Sequence, residues 1–251
     1  MTSPFASEYP QPKARERIIA ALDVATADEA RQIVGELSGE VGAFKIGSQL
    51  FTAAGPDLVR EFTSAGERIF LDLKFHDIPN TVAKAAIEAA RLGVWMLNVH
   101  TLGGSKMMRQ AADEVRQVCE QENLARPMII GVTILTSSGE AEMSEVGIAE
   151  DVPSGVLRLA RLAADSGLDG VVASPQESRS IREAVAKAGF TIVTPGIRPA
   201  AATNDDQRRV TTFMQAIQNG SDYVVIGRPI TQSADRRDAV RQIVDGAETT
   251  K

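Results

Sequence analysis

The chain has 251 residues, of which 43% are hydrophobic and 24% charged, with a formal net charge of −6 at pH 7. This acidic balance excludes a general nucleic-acid-binding surface, and no apolar stretch approaches the roughly 20 residues that cross a membrane. The single cysteine, Cys119, excludes an internal disulfide and fits a small buried hydrophobe in a reducing compartment. We therefore predict a cytoplasmic globular protein with neither a membrane nor a nucleic acid as partner.

Short β-rich runs alternate along the chain with Ala- and Leu-rich helical patterns. Residues 1–16 are polar and contain prolines, and we predict a flexible N-terminal arm there. The predicted strands are residues 17–24, 43–47, 68–75, 95–101, 128–135, 170–174, 191–196 and 223–227. The predicted helices are residues 27–37, 56–65, 81–92, 105–122, 154–166, 176–188, 211–219 and 234–245.

Nearly continuous apolar strands that alternate with helices predict a parallel sheet covered by those helices. Eight strand–helix pairs follow one another without a linker or a change of composition. Such pairs close naturally into a barrel, so we predict that residues 17–251 form a single (β/α)8 TIM barrel with eight parallel strands. The alternative is an open doubly wound sheet, but no G-x-G-x-x-G pattern opens the first unit.

Polar residues recur at the carboxyl ends of the predicted strands, where a TIM barrel places its active site. These residues are Asp23, Lys45, Asp72, Lys74, Thr136, Arg198 and Arg228. Any one of the charges alone could be a solvated rim charge, and Thr136 could cap a turn. Together they predict a polar cup of mixed charge.

The third predicted strand carries the most informative pattern, because Asp72 and Lys74 lie two residues apart in an apolar run. A strand has a side-chain period of two, so both groups should point to the same face. Charged groups are rarely buried unless they are paired. An isolated Asp-x-Lys would favour a structural ion pair, but Asp77 follows just past the strand end. Three charges within six residues favour a functional site.

The segments after the last two strands predict a phosphate site, since loops at these positions frequently bind phosphate in TIM barrels. Gly227 would let the backbone approach a phosphate closely, and Arg228 would supply a charged fork. The polar loop of residues 198–209 could close over a ligand, and Gln207 on it is a candidate hydrogen-bond donor to the phosphate.

Residues 71–81 closely resemble the signature of the orotidine 5′-phosphate decarboxylase family. The resemblance extends over nearly the whole predicted barrel. The further matching positions are Asp23, Lys45 and residues 135–137, 196–199 and 225–229. The resemblance implies decarboxylation of orotidine 5′-phosphate to uridine 5′-phosphate, the last step of de novo pyrimidine synthesis, without cofactor or metal. It also implies a homodimer with a shared active site.

The resemblance further implies a role for each matching residue. An alternating array would face the reacting carbon, namely Lys45, Asp72, Lys74 and Asp77, with Asp77 coming from the neighbouring subunit beside Ile78 and Thr81. The ribose hydroxyls would be held by Asp23, Lys45, Asp77 and Thr81, and Thr136 would contact the pyrimidine. The phosphate would be held by Gln207, Gly227 and Arg228, with Arg198 at the same end. His76 receives no chemical role, and we expect His100 to be a hydrogen-bonded strand-end histidine.

These residue types suit the chemistry. Loss of CO2 from C6 of the pyrimidine leaves an electron pair in an sp² orbital with no ordinary electron sink. Lys74, as an ammonium near C6, would stabilise the developing charge and deliver the replacing proton. Asp72 would lie near the leaving carboxylate and disfavour the bound ground state. The neighbouring carboxylates favour the ammonium form of Lys74.

Three alternatives remain open. The first is a Mg²⁺-dependent phosphosugar decarboxylase or aldolase barrel of the same superfamily, which shares the D-x-K-x-x-D pattern; residues 78–81 and the segment around Lys45 argue against it. The second is a Schiff-base aldolase using Lys74, which the flanking carboxylates disfavour because they keep the amine protonated. The third is a non-catalytic nucleotide-binding barrel whose ion pairs are structural.

Overall fold

The structure is a computed structural model that describes residues 13–196 and 211–248, with side chains up to residue 245. Its strands, in chain order, are β1 (Ile18–Ala21), β2 (Ala43–Gly47), β3 (Ile69–Phe75), β4 (Met96–His100), β5 (Met128–Val132), β6 (Gly170–Val172), β7 (Thr191–Thr194) and β8 (Tyr223–Ile226). Each strand pairs in parallel with the next, and β8 pairs with β1, so the sheet closes. The predicted TIM barrel of eight parallel strands is confirmed.

The described helices cover the outside of this barrel. They are α1 (Ala27–Leu37), α2 (Ser48–Ser64), α3 (Pro79–Arg91), α4 (Gly104–Glu122), α5 (Glu140–Glu145), α6 (Val152–Asp165), α7 (Ser178–Ala184), α8 (Phe213–Gln218), α9 (Arg228–Thr231) and α10 (Arg236–Glu248). Short 3-10 helices form at Ala14–Arg17 and Thr101–Gly103. Cys119 on α4 is buried among apolar side chains, as predicted.

The helical structure that was not predicted lies at the start of α2, in α5 and α9, and in the two 3-10 helices. The first turns of α2 precede Gly55, whose φ of 72° breaks the helix immediately before Pro56. The sequence pattern therefore suggested a start at Pro56, where only the second half of α2 begins. Helices α5 and α9 have 6 and 4 residues, which is too short for a helical period to be recognised. The 3-10 helix Ala14–Arg17 overlaps the end of the predicted arm, and its Arg15 forms an ion pair with Glu40. Residues 1–12 of the predicted arm lie outside the described residues.

Side chains along each strand alternate between the helix side and the inside of the barrel, so the protein has an outer and an inner apolar core. Residues that face the helices, such as Ile18, Phe44, Ile69 and Leu97, belong to one large buried cluster. A second cluster lies inside the barrel and consists of Ile19, Ala43, Phe70, Met96, Ile130 and Val193. Because side chains alternate with a period of two, the next inward positions towards the carboxyl end lie two residues further along each strand.

The amino end of the barrel is closed by stacked aromatic and cationic groups. The Arg68 guanidinium carbon lies 3.8 Å from the centroid of the Trp95 ring, which meets the Tyr223 ring edge-on at 5.0 Å between centroids. These residues precede or begin β3, β4 and β8. These packed side chains occupy the amino end of the barrel interior. A polar site is therefore expected at the opposite, carboxyl end.

Candidate active site

A polar layer lies directly above the inner apolar cluster, on three adjacent strands. Two residues beyond Ala43, Phe70 and Met96 come Lys45 on β2, Asp72 on β3 and Asn98 on β4. All three are shielded from solvent, with Lys45 8% and Asn98 1% exposed. The strand period thus places a cation, a carboxylate and an amide side by side at the carboxyl end of the barrel.

Four charged side chains form a continuous chain of alternating sign. Asp72 Oδ1 lies 2.7 Å from Lys74 Nζ, and Asp72 Oδ2 lies 3.4 Å from Lys45 Nζ. Lys45 Nζ also contacts Asp23 Oδ1 at 3.0 Å. The side chains in the middle, Lys45 and Asp72, are 10% and 12% exposed, whereas Lys74 and Asp23 at the ends are 40% and 56% exposed. The ends of the chain are therefore the groups that a ligand can reach.

Electrostatics keep the two buried members charged. Burial raises the pKa of the Asp72 carboxyl, but attraction to Lys45 and Lys74 and hydrogen bonds from Lys74 and Asn98 outweigh it, so the pKa lies below its usual value. Burial likewise lowers the pKa of Lys45, and Asp72 and Asp23 more than compensate, so that pKa is raised. Both partners shift in the direction that favours the ion pair, which is therefore fully ionised at neutral pH.

A β-bulge shapes the strand that carries Asp72 and Lys74. Leu71 pairs with Leu97, but the next registered pair is Phe75 with Val99, so three residues of β3 face the single residue Asn98 of β4. Lys74 adopts the left-handed conformation, with φ of 51°. The Asp72 and Lys74 side chains do meet, but the bulge brings them together rather than the regular alternation that the sequence pattern suggested.

Asn98 was not predicted as a site residue. Its Nδ2 donates a hydrogen bond to Asp72 Oδ1, and its Oδ1 accepts one from the Lys74 backbone N–H, each at 2.7 Å. The available signal was a polar residue inside the apolar run of β4, one strand along from Asp72. Without the strand register, that signal does not distinguish a site residue from a solvated one.

The predicted residues after β3 lie apart from the charge chain. Asp77 is exposed, and its Oδ1 accepts a hydrogen bond from the Ile78 backbone N–H at 2.6 Å. Thr81 is exposed on the first turn of α3, and the Ile78 side chain is 66% exposed. Among the described residues, no ion pair joins Asp77 to Lys45 or Lys74. Within one subunit, the structure thus brings Lys45, Asp72 and Lys74 together but does not add Asp77.

Thr136, Gly227 and Arg228 lie around the same rim. Thr136 is half-buried in a turn, four residues beyond the end of β5, which stops at Val132 rather than at residue 135. Gly227 joins β8 to α9, and a Cβ placed on it would lie 3.4 Å from Asp23 Oδ2. Arg228 is exposed at the start of α9. The predicted residues Arg198 and Gln207 lie outside the described residues.

The expectation for His100 is wrong. Its Nδ1 is buried without a hydrogen-bond partner among the described residues, and its ring stacks on that of His76, with centroids 5.4 Å apart. Burial, with smaller contributions from His76 and Lys74, lowers the pKa of His100 to about 4. His100 is therefore a neutral ring packed beside the Lys74 segment rather than a hydrogen-bonded strand-end histidine.

In residues 13–196 and 211–248, no three His, Cys, Asp or Glu side chains are grouped as they would be around a metal ion. None of the helices in these ranges has the length and apolar character that a membrane crossing needs.

Comparisons with known proteins agree with this geometry. The family model described as "Orotidine 5'-phosphate decarboxylase / HUMPS family" matches residues 16–243. The orotidine 5'-phosphate decarboxylase of Syntrophotalea carbinolica is 53% identical over 93% of this chain and 95% of its own, and that of Moorella thermoacetica is 50% identical over 98% of each. The crystal structure of orotidine 5'-phosphate decarboxylase from Lactobacillus acidophilus superimposes with a TM-score of 0.80, at 37% identity, over 92% of this chain and 98% of that one. The chain therefore belongs to the orotidine 5′-phosphate decarboxylase / HUMPS family.

Proposed function

We propose that this protein is a carboxy-lyase that converts orotidine 5′-phosphate to uridine 5′-phosphate and CO2 in pyrimidine biosynthesis, with no cofactor. The observation that carries the proposal is the Asp23–Lys45–Asp72–Lys74 charge chain at the carboxyl end of the barrel. The predicted activity agrees with the names of the curated relatives, which are about 50% identical over most of the chain. We place the reaction in the cytoplasm, where a buried free thiol such as Cys119 stays reduced.

Lys74 is the group that acts on the reacting carbon. When the bond between C6 and the carboxylate breaks, CO2 leaves and the electron pair stays on C6. The Lys74 ammonium, 40% exposed, can lie against C6, stabilise that pair and transfer one proton to it. The resulting amine is then reprotonated from solvent, so the cycle closes without another reactant.

Asp72 fixes the proton donor and opposes the leaving carboxylate. Its carboxylate oxygens accept from Lys74 Nζ and Asn98 Nδ2 and contact Lys45 Nζ, so it has little freedom to turn away. Its lowered pKa keeps it negative at neutral pH. A substrate carboxylate bound beside it is repelled, and the repulsion disappears when neutral CO2 departs.

We place the ribose and phosphate end of the nucleotide near β1 and β8. Asp23 and Lys45 are placed to hold ribose hydroxyls, because Asp23 is 56% exposed and anchored by Lys45 at 3.0 Å. A Cβ placed on Gly227 would lie 3.4 Å from Asp23 Oδ2, and this proximity supports a phosphate position at Gly227 and Arg228, beside the proposed ribose position. Thr136 would contact the pyrimidine, and Gln207 and Arg198 would add phosphate contacts.

Product analysis tests the proposed reaction. Purified protein incubated with orotidine 5′-phosphate should release CO2 and uridine 5′-phosphate in equal amounts, and borohydride should trap no adduct on Lys74. A trapped adduct would instead support the Schiff-base aldolase. The 2.7 Å ion pair between Asp72 and Lys74 disfavours that reaction, because it favours the ammonium form, which has no lone pair to attack a carbonyl. Absence of both products with folded protein would overturn the proposal.

Arg228→Ala is expected to raise KM for orotidine 5′-phosphate strongly, by roughly 10- to 100-fold, because a charge-assisted phosphate contact is lost. kcat should fall as well if phosphate binding helps to close the site. Steady-state kinetics of this variant should be compared with those of Arg241→Ala, which removes an exposed α10 arginine paired with Asp238. If the protein decarboxylated the nucleoside orotidine as efficiently as its 5′-phosphate, the phosphate assignment would be incorrect.

We also propose that the active unit is a homodimer in which the partner subunit supplies Asp77, Ile78 and Thr81. Three observations support this arrangement. Asp77 is exposed and forms no ion pair with the lysines of its own subunit within the described residues. Ile78 presents an apolar side chain that is 66% exposed, beside the active-site strand. The resemblance of residues 71–81 to the family signature implies the same sharing.

A mixing experiment distinguishes a shared site from a separate one. Lys74→Ala and Asp77→Ala, each inactive alone, should regain about a quarter of wild-type activity when their subunits exchange, because half of the dimers are mixed and each has one intact site. Mass spectrometry of the mixture confirms exchange. Exchange without recovery would show that Asp77 acts within its own subunit.

A further inference from the structure

Asn98 links two parts of the proposed catalytic apparatus through a single buried side chain. It lies on β4 and is 1% exposed. Its Nδ2 donates to Asp72 Oδ1 and its Oδ1 accepts from the Lys74 backbone N–H, both at 2.7 Å. Both ends of the amide are therefore satisfied, and both by residues of the charge chain.

The contact with Lys74 replaces a missing backbone hydrogen bond. Between the pairs Leu71–Leu97 and Phe75–Val99, the ladder between β3 and β4 is interrupted. A buried backbone N–H in such a gap must find another acceptor. The Asn98 carbonyl oxygen supplies it, so the bulge depends on a hydrogen-bond acceptor at this position.

The same contact stabilises an unusual backbone conformation. Lys74 has φ of 51°, in the left-handed region that side chains other than Gly, Asn and Asp rarely adopt. In this conformation Lys74 Nζ donates a hydrogen bond to Asp72 Oδ1, on the same strand, at 2.7 Å. A residue that fixes this backbone therefore also fixes where the ammonium points.

We propose that Asn98 is a positioning residue for the proton donor: it holds the left-handed backbone of Lys74 and the carboxylate of Asp72 in one fixed arrangement. The inference rests on the proposed function, since it assigns Asn98 a role in that reaction. Asn98 acts through these two residues rather than on the substrate. A neutral amide is required, because a carboxylate here would face Asp72 and could not donate to it, and an aliphatic side chain could neither donate nor accept.

Two substitutions test the proposal. Asn98→Leu removes both hydrogen bonds, and Asn98→Asp retains the acceptor for Lys74 but loses the donor to Asp72. Each is expected to lower kcat on the order of 100-fold, the typical effect of misplacing a catalytic group by about 1 Å. The affinity for uridine 5′-phosphate, measured by calorimetry, should change by less than about threefold, since ribose and phosphate are held by other residues. Asn98→Asp is close in size to the wild type and keeps the test decisive if Asn98→Leu does not fold.

Thr101→Val provides the matched control. Thr101 is fully buried just after β4 and donates one hydrogen bond to the Val132 carbonyl at 2.8 Å, outside the charge chain. Its loss should reduce stability by urea unfolding but leave kcat near the wild-type value. The inference is overturned if the Asn98 variants keep wild-type kcat, if Thr101→Val lowers kcat equally, or if nucleotide affinity falls as much as kcat. A wild-type protein without decarboxylase activity would instead refute the proposed function itself.

Discussion

Lys74→Ala is expected to lower kcat by roughly 10³-fold or more while leaving the barrel folded. Lys74 is the most exposed cation of the charge chain, at 40%, and the group that we propose gives its proton to C6. Its removal takes away the proton donor and also the positive charge that stabilises the carbanion at C6. Asp72 keeps its contacts with Lys45 and Asn98 in the variant, so the fold should survive. Steady-state kinetics and circular dichroism measure the two effects.

Lys84→Ala is the matched control for that variant. Lys84 is a lysine on α3, 66% exposed and paired with Glu114 at 3.4 Å on the outside of the barrel. Exposed pairs of this kind contribute little, so both kcat and stability should remain close to wild type. A Lys74→Ala protein that is as active as Lys84→Ala would exclude Lys74 as the acid.

Asp72→Asn is expected to damage both activity and stability. Asp72 is 12% exposed and connects two ammonium groups, one of which, Lys45, is itself only 10% exposed. Removing the shared carboxylate charge leaves Lys45 without its buried partner, and breaking a buried ion pair in this way typically costs about 3–5 kcal/mol of unfolding free energy. Turnover should fall by orders of magnitude, because the position and environment of Lys74 both change.

Asp57→Asn is the control for the stability of Asp72→Asn, because it removes an exposed carboxylate instead of a buried one. Urea unfolding measures the unfolding free energy of both variants. Asp57 is 91% exposed and pairs with Arg60 at i,i+3 on α2, so its substitution should change the unfolding free energy by less than about 0.5 kcal/mol. If both variants were equally stable, the buried chain of ion pairs would not contribute to the fold as we describe.

The fold was predictable because its main determinant is periodic. Alternating apolar strands and helices indicated the eight-stranded barrel, and the polar residues Lys45 and Asp72 were expected near the carboxyl ends of their strands, where the structure has them. The short helices α5 and α9 escaped prediction because a few residues show no period. The early start of α2 was hidden because Gly55, with its positive φ, separates the first helical turns from the segment that begins at Pro56.

The site was predictable only where residue type and spacing carry the signal. The pattern of residues 71–81 indicated Asp72 and Lys74, but the bulge between them depends on how β3 registers against β4. For the same reason the sequence did not reveal Asn98, whose partners lie on another strand. Nor did the sequence reveal that His100 stacks on His76 and that its buried Nδ1 has no hydrogen-bond partner within the described residues. The phosphate roles of Arg198, Gln207, Gly227 and Arg228 stay predictions.

One assay tests the central claim, that the charge chain around Asp72 decarboxylates orotidine 5′-phosphate without a metal ion. Protein dialysed exhaustively against EDTA is mixed with orotidine 5′-phosphate, and the loss of substrate absorbance is followed with and without added Mg²⁺. We expect the same rate in both arms and in untreated protein, because Lys74 supplies the positive charge that the carbanion needs. A rate that is lost after EDTA treatment and restored by Mg²⁺ would contradict this account and favour the Mg²⁺-dependent phosphosugar enzymes.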